Sequence, residues 1–270
     1  MAAAAAAAGY SILGFSSHAP LPFKTSWNMA WTDMQPYAAT ILEQKEIWKP
    51  KSLSILLGLE IDYIPGLSSP ADAAYRAIPL DHVIGSVHYV VGLPGGAFTV
   101  DDTAGEFERH LIKATGGDAK PVWKEYYKAM AGMIGAGGFD IIGHFDLVKK
   151  NNDHGRWFDE ESPAYLDAAF EAADWAGESG CIAEINTGGI ARGKTGNVYP
   201  SLPILRRMRK AGVRLTIGDD AHAPSHLGSY QHRAISAAAE AGYRSIWYMD
   251  TERAWKEIGL DQAGLPAARS

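Results

Sequence analysis

Apolar residues in this chain fall into short runs, each bounded by glycine or polar residues, and most are followed by a longer stretch with helical spacing. The runs at 11–15, 54–59, 83–87, 139–142, 181–185, 213–217 and 245–248 have the length and composition of buried strands. Helices are predicted at 34–48, 101–115, 121–136, 162–178, 201–211 and 226–241. Alternation of this kind predicts an α/β fold with a parallel sheet and right-handed crossovers, which either a closed barrel or an open doubly wound sheet would satisfy. No G-x-G-x-x-G follows the first strand, and Gly188-Gly189 follows a late one without a helix where a nucleotide fold would need it, so a dinucleotide-binding reading is weak. Two long loops are expected at 92–105 and 149–162, and long loops at strand ends commonly carry function.

Composition changes this picture only at the margins. The 270 residues, 47% hydrophobic and 21% charged, suffice for a soluble domain with a large core, and no linker-like stretch divides them, so residues 1–270 read as one domain. A net charge of -6 gives no basic footprint for nucleic acid or an anionic membrane, which favours a small-molecule substrate. The single cysteine, Cys181, excludes an internal disulfide and agrees with a reducing cytoplasm; lying in an apolar run, it reads as an inert thiol. No segment reaches the roughly 18 consecutive apolar residues of a membrane span. Ala2 to Ala8 followed by Gly9 has the character of a helix tail with a glycine stop. A helix tail running straight into a buried strand predicts an earlier strand and the start of that helix ahead of it.

Candidate chemistry enters through position. His18, Glu60, His88 and His144 each end or closely follow a predicted strand, and Asp220 and His222 follow another. In a parallel barrel the carboxyl ends of the strands share one face, so residues distant in sequence converge there. Imidazole with carboxylate is the donor set of Zn, Mn and Fe sites, and such ions activate water and clamp a phosphoryl group. Any single histidine is more often structural; His82, His110, His154, His226 and His232 are read that way, whereas four histidines at strand ends are not easily accidental. Asp62, Asp146 and Asp219 lie close by as partners of the ligands or as solvated loop residues. Trp27 and Trp31, in the loop after His18, are candidates to wall a pocket or to join the core.

At these residues the chain resembles the polymerase and histidinol phosphatase (PHP) superfamily, and within it the histidinol-phosphate phosphatases of histidine biosynthesis. The matching text is Gly14-Phe15-Ser16-Ser17-His18-Ala19-Pro20, Gly58-Leu59-Glu60-Ile61-Asp62-Tyr63, Gly85-Ser86-Val87-His88, Gly143-His144-Phe145-Asp146-Leu147, Glu184-Ile185-Asn186-Thr187 and Gly218-Asp219-Asp220-Ala221-His222-Ala223-Pro224. The resemblance implies a distorted seven-stranded (β/α)7 TIM-like barrel with up to three divalent ions, zinc, manganese or iron. It further implies that Glu60 bridges two ions, that His88 and His144 complete one, that Asp220 holds the ion on the other side of Glu60, and that His18 and His222 hold the third. The implied reaction is attack of metal-activated water on phosphorus, with His18, Glu60, Asp220 and His222 at the reacting centre. Arg192 and Lys194, after Asn186-Thr187, are the candidate phosphate ligands, the arginine for its bidentate fork. The chain departs from the family in one respect: the H-x-H of the first barrel strand is absent from the sequence. By that resemblance only the Glu60, His88 and His144 site keeps all its protein ligands, fewer than three ions are expected, and activity on L-histidinol phosphate is expected to be impaired. A related phosphatase or phosphodiesterase acting on nucleotides or other small phosphoesters, and a degenerate non-catalytic binding protein, are the alternatives.

Overall fold

The computed structural model describes residues 1–263. A short helix α1 (Ala2–Ala7) leads into strand β1 (Ile12–His18), then α2 (Met34–Trp48), β2 (Ser54–Asp62), β3 (His82–Ser86) and a small antiparallel ribbon of β4 (Tyr89–Val90) with β5 (Phe98–Thr99). Helices α3 (Ala104–Thr115) and α4 (Lys120–Ala136), strand β6 (Ile141–Ile142), α5 (Pro163–Ser179), β7 (Ile182–Asn186), α6 (Gly188–Ala191), α7 (Leu202–Ala211), β8 (Arg214–Gly218) and α8 (Gln231–Glu240) follow. Two last strands, β9 (Ser245–Met249) and β10 (Trp255–Gly259), close the described chain.

The main sheet has six parallel strands in the order β1-β2-β3-β6-β7-β8. β2 is buried along almost its whole length, as a strand covered on both sides must be, and its unbroken Ile55-Leu56-Leu57 run is the sequence signature of that position. The helices bury one stripe each. In α4 that stripe is Val122, Tyr126, Met130 and Met133, with Trp123, Tyr127 and Ile134 widening it. Local chemistry sets the helix ends: Thr103 accepts the Glu106 amide at the start of α3, Pro163 opens α5, and Gly116, Gly180 and Gly212 end α3, α5 and α7 in the left-handed conformation. One apolar core joins α3, α4, α5, α7 and α8 to the later strands, and a second packs α1 and α2 on β1 and β2.

Residues of both edge strands, β1 and β8, line a single cavity of about 640 Å3, so the sheet curls until its edges face each other across an opening. Tyr10, just ahead of β1, reaches over this opening: its hydroxyl donates to Asp219 Oδ2 at 2.7 Å, and Gln231 donates to both residues. His82 lies inside the curl. Its ring fills the space over Gly58, where a Cβ would come within 2.3 Å of Nε2, so this strand position admits only glycine beside that histidine.

The expected run at 245–248 is a strand, but it pairs antiparallel with β10 and forms no ladder with the main sheet among the described residues. Asp250 causes the return. Its carboxylate accepts the Glu252 and Ala254 amides and makes a turn too short for the helix that a parallel crossover requires. The loop expected at 92–105 likewise contains β5. No helix among the described residues is long and apolar enough to cross a membrane.

Candidate metal centre

Parallel register places the polar residues. His18, the last residue of β1, is the register partner of Glu60 near the end of β2, and Asp62 stands two residues on, on the same face of that strand. Ser86 ends β3 opposite Asp62, and its chain continues into His88. His144 follows β6, Glu184 and Asn186 lie on β7, and Asp220 follows β8. The carboxyl ends of all six strands thus deliver side chains to one place, as the parallel reading requires.

Glu60 is the hub. Its Oε1 accepts the Ser86 hydroxyl at 2.7 Å, meets His144 Nε2 at 3.0 Å and lies 3.6 Å from His88 Nε2, while Oε2 lies 3.5 Å from His18 Nδ1. Burial opposes ionisation of this carboxyl, yet the charges of His18, His88 and His144 and the His144 hydrogen bond hold it well below the usual carboxylate range. His88 is oriented from behind by Asp62, 2.6 Å from Nδ1. Burial alone would lower the His88 imidazole; Asp62 and Glu60 outweigh it and push it up to about 10. The His144 backbone amide donates to Glu184 Oε1, as does Asn186 Nδ2, and burial pushes the Glu184 carboxyl up to about 7.

Asp220 forms a second group beside the first. It adopts a left-handed φ of 45°, a conformation that Asp tolerates better than most residues. Its carboxylate meets His222 Nε2 at 3.1 Å and Arg192 Nη2 at 2.8 Å, and Asn186 Nδ2 at 3.3 Å ties it back to Glu184. Burial opposes its ionisation, but His222 and Arg192 dominate and keep its carboxyl far down. The imidazoles run as a chain: ring centres of His144 and His88 are 4.8 Å apart, His88 and His18 5.2 Å, and His18 and His222 6.5 Å.

The structure therefore brings together all six residues singled out as ligands. Glu60, His88 and His144 place one donor atom each within 4.8 Å of one another, as do His18, Asp62 and His88. The Nδ1 atom of His18, 3.5 Å from Glu60 Oε2, is buried without a hydrogen-bond partner among the described residues, which fits a donor meant for a cation. Arg192 and Lys194 line a cavity of about 180 Å3 over the cluster, with Lys150, Asp101 and Tyr199. Of the neighbouring carboxylates, Asp62 supports a ligand, whereas Asp146 accepts Lys149 and the Ser201 amide, and Asp219 accepts Tyr10 and Gln231, both in structural roles. Trp27 borders the larger cavity, while Trp31 stacks on Tyr75. Among the remaining histidines, His154 is exposed and His82 is interior. Cys181 is half-buried, with burial pushing its thiol up.

Comparison with known proteins matches most of the chain. A family model described as the PHP domain matches residues 1–188. A Deinococcus radiodurans protein named "Probable histidinol-phosphatase" is 29% identical over 249 residues, covering 92% of this chain and 88% of its own. The crystal structure of a Listeria monocytogenes protein superposes with a TM-score of 0.75 at 20% identity, over 86% of this chain and 92% of the other. That of the Lactococcus lactis histidinol phosphate phosphatase, complexed with zinc, L-histidinol and phosphate, superposes with a TM-score of 0.63 at 19% identity, over 91% and 87%.

Proposed function

Because the chain belongs to the PHP domain family, we propose that it is a metal-dependent phosphomonoesterase that hydrolyses L-histidinol phosphate to L-histidinol and phosphate. The observation that carries the proposal is the buried Glu60 carboxylate in reach of three imidazoles, under a small cavity bearing Arg192, Lys194 and Lys150. Anionic hub, imidazole nitrogen donors and cationic rim match a divalent ion and the phosphoryl group it would face. The relative named for this activity and the structure holding zinc, histidinol and phosphate support the same substrate.

Glu60, His88 and His144 would hold one ion; Glu60 with Asp220, and His18 with His222, are two-residue remnants of further sites, so fewer than three ions are proposed, and zinc, manganese and iron all suit these donors. Divalent ions here supply Lewis acidity toward a phosphoryl oxygen and make water a competent nucleophile near neutral pH. Asp62 fixes which nitrogen of His88 faces the centre, since Nδ1 is engaged and Nε2 is turned to Glu60. Ser86 fixes the Glu60 carboxylate in the same way. Arg192 and Lys194 bind the phosphate oxygens and draw charge off them as the ester bond breaks. His18, Glu60, Asp220 and His222 surround the reacting phosphorus. The finer fold reading is a single domain shaped as a (β/α)7 TIM-like barrel.

The test is phosphate release from a panel of phosphomonoesters and nucleotides with added Mn or Zn, by this chain and by a version carrying an H-x-H strand ahead of Met1. Histidinol phosphate is expected to be the preferred substrate, with the extended version faster. Preference for a nucleotide would move the assignment to another phosphoesterase, and no release from either version would remove the enzymatic reading.

A further inference from the structure

Five of the six candidate ligands, all but His88, line two cavities at once, and the two are differently furnished. The smaller, of about 180 Å3, carries the cations Arg192, Lys194 and Lys150. It falls short of the ~300 Å3 at which small-molecule pockets usually begin, so it accommodates a phosphoryl group and leaves the rest of an ester outside. The larger shares His18, Glu60 and His222 with it and has Trp27 in its wall.

Trp27 is 36% exposed, and its ring stacks on Tyr89 with centres 6.0 Å apart and planes 20° from parallel. Phe23, also exposed, meets Tyr89 edge-on at 5.5 Å. Three aromatic rings gathered at the surface leave apolar area in water that folding alone gives no reason to expose. They are also held firmly. Asn28, next to Trp27, donates to the Ala19 carbonyl and to Asp62 Oδ2, and the Met29 amide donates to the His18 carbonyl. Asp62 is the carboxylate that orients His88, and Tyr89 is the residue after His88. Both members of the stack are therefore tethered to candidate ligands, which fixes an aromatic surface at a set reach from the reacting centre.

We propose that Trp27, backed by Tyr89, is the subsite for the leaving group's imidazole ring, gripping it by stacking. Indole is the strongest of the aromatic faces for a planar cation. The assignment rests on the histidinol-phosphate reading above and makes Trp27 a specificity residue rather than a metal ligand.

The test is calorimetric binding of L-histidinol and, separately, of inorganic phosphate to metal-loaded wild type, Trp27→Leu and Trp27→Phe. Histidinol should bind Trp27→Leu about tenfold more weakly than wild type and Trp27→Phe within about threefold, with phosphate unchanged in both. Equal histidinol affinity in wild type and Trp27→Leu would overturn the subsite. So would a matching loss of phosphate affinity, or no histidinol binding to wild type. Phosphate release from histidinol phosphate by wild type is measured alongside. Trp27-dependent histidinol binding without release would leave the subsite standing and remove the hydrolytic reading; release without Trp27 dependence would do the reverse.

Discussion

Asp62 shows how one buried carboxylate organises a site without being at its centre. It holds His88 through Nδ1 at 2.6 Å and accepts Asn28 from the loop that carries Trp27. Replacing it by Asn in Asp62→Asn keeps the shape and removes the charge that makes His88 a stronger donor. A 10–100-fold fall in metal affinity is expected, measured by competition with a coloured chelator; a change under about twofold would show that Asp62 is only packing. Its place was legible, since it lies two residues beyond Glu60 and strand parity puts both on one face. Tyr199, Lys150 and Asp101 were not legible, because loops folded over the sheet bring them in and no strand period marks them. His82, read from sequence as structural, is buried, and burial lowers its imidazole to about 4. That value lies below the 6.5 of the unfolded chain, so the unfolded state takes up the proton first as pH falls. The neutral ring's contribution is complete above pH 6.5, is lost between about 6.5 and 4, and changes no further below. The loss amounts to about 3 kcal/mol at ~1.4 kcal/mol per unit. Urea unfolding of wild type and His82→Gln across that range should converge toward acid by about this amount; parallel curves would mean that His82 does not titrate as an isolated buried ring.

At the scale of elements, the alternation of strand and helix was readable because each has its own period, and α2 begins and ends where its pattern does, at Met34 and Trp48. The failure at β9 is instructive: a run of apolar residues identifies a strand but not its neighbour, and the Asp250 turn sends it to β10. Glycines at strand positions mark close approaches that the pattern registers only as interruptions. The Gly58→Ala substitution would place a methyl against the His82 ring. An overpacking loss of about 1–3 kcal/mol is expected, seen as a lower Tm. Most of it should return in Gly58→Ala combined with His82→Ala, relative to His82→Ala alone, because the colliding ring is gone. Additive losses in that double-mutant cycle would mean that Gly58 is needed for backbone reasons instead.

At the scale of the molecule, a curled six-stranded sheet gathers candidate ligands from five of its strand ends over one opening, and the network of Tyr10, Asp219 and Gln231 spans its open side. Convergence of this kind is what single-sequence reasoning sees best, since it follows from parallel topology alone. The size of the opening and the division of the site into two cavities depend on how far the sheet curls, and no local pattern encodes that. The central claim is that Glu60 and its three imidazoles form a binding site for divalent metal, and the most direct measurement of it is the metal bound per chain after loading with Zn or Mn and removal of excess. Wild type should retain at least about one ion per chain, and both Glu60→Gln and His88→Ala should retain close to none, because removing the charge or one nitrogen of a three-donor site leaves too few ligands to hold the ion. Wild type without metal, or variants that retain as much as wild type, would contradict the account.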